Sequence, residues 1–506
     1  MGTALILYPN QLFDVEFLPK VQRVYLVEEP LLFGTDKERP MSFHKQRLVL
    51  LRASMRRYAE EVLWPNGYDV DYIESSDDVV SDTAVVKAAF EGASEIFVFD
   101  PIDDLLWSRI ESASQALEVH VPLRKIENPN FYLKHKDIEA YFNGKEKHSF
   151  DDFYQYQRER FDVLIDKDYH PVGGKWSYDE DAQKKLPKDI VLPGFQSYGD
   201  NDFVREAVTY VELKFPNNPG RTDTFMWPTN HAESKAWLKD FFVNRLGNFG
   251  SYQDAIDSRG VWLFHGALSP LLNCGLLQPQ EVIDDVLDFC ATTKKQVPIA
   301  SLEGFIRQIL GWREYVRGVY VARGSKMRGM NSLGNHRRLT SAWYDGTTGI
   351  KPVDDVIRKS TDFSYAHHTE RLMVVGNFML LCDIHPDDVY KWFMSFYIDS
   401  YDWVAVPNVY GVSQFADGGA IVAKPSICAS NHILAMSSYE KEPWCDIWDG
   451  LYWRFVDAHR MMLKKNPRVG GLLIGRYDKM DSARKRIIGY RAQDFLDAMT
   501  IAPPEA

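Results

Sequence analysis

An α/β domain followed by an all-helical domain is the fold class that this sequence predicts, and three observations predict it. Five short apolar runs recur early in the chain: ALILY (4–8), VYLVEE (24–29), YDVDYI (68–73), EIFVFD (95–100) and VHVPL (119–123). The longer stretches between them can be helical, and strands that alternate with helices imply a parallel sheet with both faces covered. Farther along, the apolar residues repeat every three or four positions instead, as on helices. The third observation is length: 506 residues are too many for one ordinary core.

Residues 1–135 make up the α/β domain, with a Rossmann-like parallel sheet. Ser42 is placed to cap a helix in which Leu48, Leu51, Met55, Ala59 and Val62 share a face. Parallel sheets bind ligands at the carboxyl ends of their strands. Here those ends read Pro9-Asn10-Gln11, Glu28-Glu29-Pro30 and Asp100-Pro101. No G-x-G-x-x-G and no Walker loop follows a strand, which disfavours a dinucleotide or triphosphate at this sheet. Residues 136–200 are polar, rich in Tyr and interrupted by Gly and Pro, and read as a long interdomain connection on the surface. Residues 201–506 form the helical domain. Trp237, Leu238, Phe241 and Phe242 fit one helical face, as do Phe305, Ile309, Trp312, Val316 and Tyr320.

Composition narrows the function classes. A net charge of −12 makes a poor generic DNA binder, because backbone affinity comes from Lys and Arg neutralising phosphates. Any nucleic-acid contact therefore needs a local basic patch. The segments around Lys326–Arg338 and Lys479–Arg491 are candidates, and solvated charged faces would look the same. The five cysteines are scattered with no C-x-x-C, which suits reduced thiols in a cytoplasmic setting. The start MGTALILYPNQ lacks the charge and apolar length of a signal peptide, and no run of apolar residues is long enough to span a membrane. Hydrolase signatures such as G-x-S-x-G and H-E-x-x-H are absent.

Four local patterns in the helical half could carry chemistry. In Phe264-His265-Gly266-Ala267-Leu268-Ser269-Pro270, Ser269 is placed to cap a helix whose N-terminus could meet a phosphate, though an ordinary helix start has the same spacing. In Gly311–Arg317, Arg313 and Arg317 share a face beside Trp312, as a salt-bridged helix would also arrange them. In Tyr365–Arg371, the adjacent His367 and His368 point about 100° apart on a helix, so one can face a pocket while the other packs. A histidine near neutral pH can donate a proton, and a buried one can equally be structural. Finally, Tyr397–Trp403, Asn408, Gly411 and Asp417–Gly419 are dense in acidic, amide and glycine groups, suited to recognising a ring or ribose or to building a surface loop.

Taken in order, these stretches resemble the photolyase–cryptochrome superfamily, and within it the prokaryotic (6-4) photolyases, the iron–sulfur bacterial cryptochrome and photolyase group. The matching pieces include LYPNQL (7–12), the run from Phe43 to Glu61, GGKWSYDED (173–181), 226–256, FHGALSPLLNCGLL (264–277), IRQILGWREYVRGVY (306–320), YAHHTERLM (365–373), YDWVAVPNVYGVSQFADGG (401–419) and LYWRFVDAHR (451–460). They cover nearly the whole chain. The resemblance implies FAD in the helical domain, with contacts at Tyr252, Leu268, Ser269, Trp312, Arg371, Asp399, Asp402 and Asn408. It implies a 6,7-dimethyl-8-ribityllumazine antenna near Asn10, Gln11, Glu29 and Leu51. His368 would be the catalytic histidine and His367 its neighbour. Asp179 and Asp254 match positions linked to a divalent cation such as Mg. Trp392 and Tyr401 match a photoreduction relay, with Phe393 where the group commonly has Tyr.

Three departures stand out. The group's [4Fe–4S] cluster needs four Cys thiolates. Here 349–358 lacks its Cys, the usual C-x-x-C reads Glu440-Lys441-Glu442-Pro443, and only Cys445 lies near a ligand position, so no cluster is expected. Ala405 stands where an acidic residue is usual, and Ser426 where an aromatic is. The expected function is light-driven repair of UV-damaged DNA as a monomeric (6-4) photolyase. The alternative is a cryptochrome-like blue-light photoreceptor without repair, towards which Ala405, Ser426 and the acidic charge point.

Overall fold

The computed structural model describes residues 2–75, 88–89, 93–117, 121–144, 147, 149–182, 184–465 and 467–503. Four of the five apolar runs fall directly on parallel strands: β1 (Gly2–Leu7), β2 (Arg23–Val27), β3 (Asp69–Ile73) and β4 (Ala93–Phe99). The fifth strand, β5 (Leu123–Ile126), starts where the run 119–123 ends; residues 119 and 120 lie outside the described residues. The order is β3-β2-β1-β4-β5, so the strand order reverses between β1 and β4. Leu5, Ile6 and Leu7 are fully buried on both faces of the sheet, the reason their run is unbroken rather than alternating.

The helix after β2 spans Lys45–Tyr58. Its cap is His44, not Ser42: the His44 Nδ1 accepts from the Gln46 backbone N–H at 3.1 Å. The expected periodicity continues into a π-helical turn, Ala59–Leu63. This helix start plugs into the helical domain. The His44 N–H donates to the Ser395 carbonyl (2.7 Å), and its Nε2 faces the Thr361 carbonyl at 2.9 Å. Arg47, with no exposure, donates to the Ser400 carbonyl and lies 3.8 Å over the Phe43 ring. Gly220 has φ +86°, and a Cβ there would meet the His44 ring at 1.8 Å, so glycine alone allows this approach.

The 136–200 segment is less irregular than its composition suggests. It holds most of helix His135–Phe142 and all of helix Phe150–Phe161 before a loop that includes an Ile165–Pro171 bridge and the turn Asp179–Ala182. The second helix buries only Phe153, Tyr154, Gln157 and Arg158, too polar a stripe to read as amphipathic. Arg158 holds the loop that follows, donating to the carbonyls of Val163 (3.2 Å), Trp176 (2.9 Å) and Leu164 (2.6 Å).

Beyond residue 200 the described chain is helical apart from a two-stranded pairing of Arg338–Leu339 with Thr500–Ile501. Helix His231–Asn244 buries the expected Trp237, Leu238, Phe241 and Phe242. The second expected helix runs from Ile299 to Met327 but contains a π-helical stretch, Arg307–Arg313. Two further π-helical stretches are Glu370–Gly376 and Pro407–Ser413. Among the described residues no helix is long and apolar enough to cross a membrane.

Candidate functional site

The three π-helical stretches of the helical domain surround one cavity of about 1570 Å³, counted with the solvent in its mouth. They contribute Trp312 and Arg313, Arg371, and Asn408 and Ser413 to its wall. A π-turn widens the helix and re-aims one side chain, which is why such turns gather at functional sites. Two of them touch: a Cβ on Gly376 would lie 2.3 Å from the Ser413 Oγ.

The polar heart of the cavity is a closed network. Arg371 clamps Asp399 with two contacts, Nη1–Oδ1 at 2.7 Å and Nη2–Oδ2 at 3.2 Å, and its Nε donates to the Ala366 carbonyl at 2.6 Å. Ser269 Oγ donates to Asp399 Oδ2 (2.5 Å), and Asn273 Nδ2 donates to the Asp399 carbonyl (2.9 Å). Arg313 in turn donates to Asn273 Oδ1. Burial alone would raise the Asp399 carboxyl; the Arg371 charge and the hydrogen bonds of Arg371 and Ser269 outweigh it and hold the group below its ordinary value. Apolar and aromatic surfaces line the rest, including Leu268, Phe249, Phe305, Phe393 and Trp403.

The two histidines part as their spacing requires. His367 is 3% exposed and stacks on His265, ring centres 4.7 Å apart and 18° from parallel. His368 turns into the open mouth, its ring centre 6.0 Å from that of Trp312. Surrounding protein and the Arg371 charge lower the His368 imidazole below its ordinary value. Burial, and then the neighbouring His265, push the His367 imidazole well below its ordinary value. Asp254 also lines the cavity; its Oδ1 accepts from Thr369 (2.9 Å) and burial raises its carboxyl.

Of the residues expected at a flavin, Leu268, Ser269, Trp312, Arg371, Asp399 and Asn408 line this cavity together with His367 and His368. Ser269 opens the helix Ser269–Cys274 rather than capping it, because its hydroxyl is spent on Asp399. Tyr252 and Asp402 are placed elsewhere. Tyr252 packs on Phe264 at 5.7 Å. Asp402 faces the α/β domain, accepting from Tyr320 (2.7 Å), Tyr390 (2.5 Å) and Arg328, which also reaches Asp104. Trp392 is fully buried one ring behind the cavity, 5.6 Å from Phe393. Tyr401 is buried with its hydroxyl 3.9 Å from the Cys274 Sγ and its ring 4.9 Å from the Arg47 guanidinium.

Asp179 is committed to Arg307 at 2.7 Å, and Asp254 to Thr369; among the described residues no group of three or more His, Cys, Asp or Glu is placed to hold a metal ion. Cys382, Cys428 and Cys445 are buried within one apolar cluster. At the sheet, Asn10 and Gln11 sit between β1 and β4, where a ligand crevice is expected. Their amides donate across to the β4 end, Asn10 to the Pro101 carbonyl (3.2 Å) and Gln11 to the Phe99 carbonyl (3.0 Å). Glu29 caps a short helix through the Leu31 N–H (3.2 Å), and Leu51 is fully buried.

His265, Asn273 and Gln308 were not expected at the site. Asn273 lies four residues after Ser269, on the same helical face, and that spacing is the signal that could have found it. His265 lies within the Phe264–Pro270 pattern, where Ser269 drew the attention, and Gln308 carries no comparable signal.

This architecture, a doubly wound parallel sheet joined to a helical domain with a central cavity, has relatives. The chain is 33% identical over 445 residues to a (6-4) photolyase of Agrobacterium fabrum, covering 84% of this chain and 86% of the relative. The family model described as deoxyribodipyrimidine photo-lyase-related protein matches residues 5–227. The chain belongs to the photolyase–cryptochrome superfamily. A bacterial class III photolyase from Agrobacterium tumefaciens shares the fold with a TM-score of 0.57 at 14% identity, over 96% of this chain and 92% of the other. An archaeal photolyase from Sulfolobus tokodaii, solved with two FAD molecules, aligns with a TM-score of 0.52 at 12% identity, over 97% and 100%.

Proposed function

We propose that the protein repairs UV-damaged DNA with light, acting on the (6-4) pyrimidine–pyrimidone lesion with FAD in the central cavity. The observation that carries this reading is the union of an Arg371–Asp399 clamp and a mouth-facing His368 in one cavity. The residues fit a flavin. Arg371, Asp399, Ser269 and Asn408 offer charged and polar groups, Trp312 and Leu268 offer flat and apolar surface, and the Gln253 Oε1 and Arg313 Nε are buried without a hydrogen-bond partner. Reduced flavin supplies a light-activated electron when bound, chemistry the protein only orients and shields.

The chain's own part is positional and acid–base. The mouth beside His368 and Trp312 receives a flipped-out lesion, as base-flipping enzymes require. Trp312 offers a face for stacking. The His368 imidazole stands as proton donor to the lesion, while Phe249, Phe305 and Trp403 exclude water behind it. DNA phosphates at the mouth would raise the lowered His368 pKa towards neutrality. Sensing without repair is the second reading, favoured by Ala405 in the cavity wall. Oligonucleotide carrying the (6-4) lesion, incubated with FAD-loaded protein under blue light, distinguishes the two. Restored thymines, abolished in His368→Asn, support repair; bound flavin with no repair and no preference for damaged DNA overturns it.

A further inference from the structure

Next to His367, outside the cavity lining, lies a charged pair of partly buried Lys359 and buried Glu370. Lys359 Nζ contacts Glu370 Oε1 at 2.5 Å, and the Glu370 side chain is 1% exposed. The other carboxylate oxygen, Oε2, faces His367 Nε2 at 3.6 Å and accepts the His367 backbone N–H at 3.4 Å. Among the described residues neither ring nitrogen of His367 has a hydrogen-bond partner, and the ring is almost wholly buried. The remaining groups that face it are known. His265 stacks on one side, each of its ring nitrogens 2.9 Å from a backbone carbonyl, those of Trp262 and Gln253. His368 is its neighbour in sequence, and the Arg371 guanidinium adds positive charge.

A buried imidazole with no hydrogen bond and one carboxylate within 4 Å has its protonation decided by that carboxylate and by whatever compensates it. Neither Lys359 nor Glu370 lines the cavity. We propose that Lys359 and Glu370 are positioning residues that set the protonation state of His367 from outside the cavity lining, a lever on the acid–base character of the cavity that touches no ligand. Glu370 favours the imidazolium, and Lys359 restrains it by neutralising Glu370. The inference rests on the reading of the paired imidazoles as the proton-handling wall of the site, but its test does not need repair activity.

The two charges act with opposite sign, which a purely structural pair would not. Lys359 bears on the His367 ring through the shared carboxylate, so removing its charge should move the His367 midpoint up by about one to two pH units. Removing the Glu370 charge should move it down. The experiment is a pH titration of ¹⁵N-histidine-labelled, FAD-loaded full-length protein in the dark without DNA, the His367 signals being assigned by their loss in His367→Asn. The expected result is an upward shift in Lys359→Met, a downward shift or loss of titration in Glu370→Gln, and a wild-type midpoint in Lys359→Arg, which keeps the charge and controls for misfolding. Shifts of the same sign in Lys359→Met and Glu370→Gln, or none in either, would overturn the proposal. Absent repair with opposite shifts would sink only the repair reading.

Discussion

Replacing Asp399 by Asn removes one charge from the clamp at the heart of the cavity while keeping its volume. The attraction lost is large: at 2.7 Å and an effective dielectric near 20, two unit charges interact by about 6 kcal/mol. What matters for stability is the Arg371 guanidinium left behind in a buried site, and breaking such a pair costs about 3–5 kcal/mol. Arg371 keeps its bond to the Ala366 carbonyl and its seat 3.9 Å over the Tyr397 ring, which compensate in part. The Asn oxygen can still accept from Ser269. The expected loss is therefore about 3 kcal/mol, at the lower end of that range. Urea unfolding followed by tryptophan fluorescence reads it as a fall in midpoint at unchanged slope. The double variant Arg371→Met, Asp399→Asn removes the orphaned cation and should recover most of the loss. A single-variant cost below about 1 kcal/mol, or a double variant as unstable as the sum of the singles, would refute the reasoning that the pair is held together against desolvation.

Three further outcomes follow from the same geometry. Burial lowers the His44 pKa from 6.5 to about 4, so the folded form binds this proton less readily than the unfolded chain. Stability should then fall by up to about 3 kcal/mol as pH drops from about 6.5 to about 4, and His44→Asn, which keeps a capping side chain, should flatten that acid limb in melting experiments. Gly220→Ala drives a Cβ into the His44 ring at a left-handed backbone position, and should cost more than about 2 kcal/mol and loosen the two domains, read as increased proteolysis between them. If electrons reach the cavity through Trp392, Phe393→Tyr should speed light-driven flavin bleaching in the presence of reductant and Trp392→Phe should slow it; equal rates in both would exclude the route.

The elements with a strong local signal were legible. Four of the five apolar runs fall on strands, most clearly at the central β1, whose buried residues form an unbroken apolar stretch. The helix of Trp237 and Phe241 shows its face in its spacing. Helix Phe150–Phe161 was hidden because its buried side includes Gln157 and Arg158, satisfied by partners far from any sequence pattern. Much of the cavity could be named beforehand, since Ser269, Arg371, Asp399 and Asn408 lie in dense motifs. Asp402, assigned to the flavin through the resemblance, opens the helix Asp402–Val406 and reaches Arg328, a placement that no local spacing signals. Periodicity also passes over π-turns, since a single inserted residue at Arg307–Arg313 preserves the apolar spacing on either side.

The most direct measurement is a crystal structure of the chain reconstituted with FAD. The account predicts flavin density between the π-turns, with Arg371 and Asp399 against it and the His367–His265 stack on one wall. Protein that stays colourless, or flavin bound away from that stack, would contradict it.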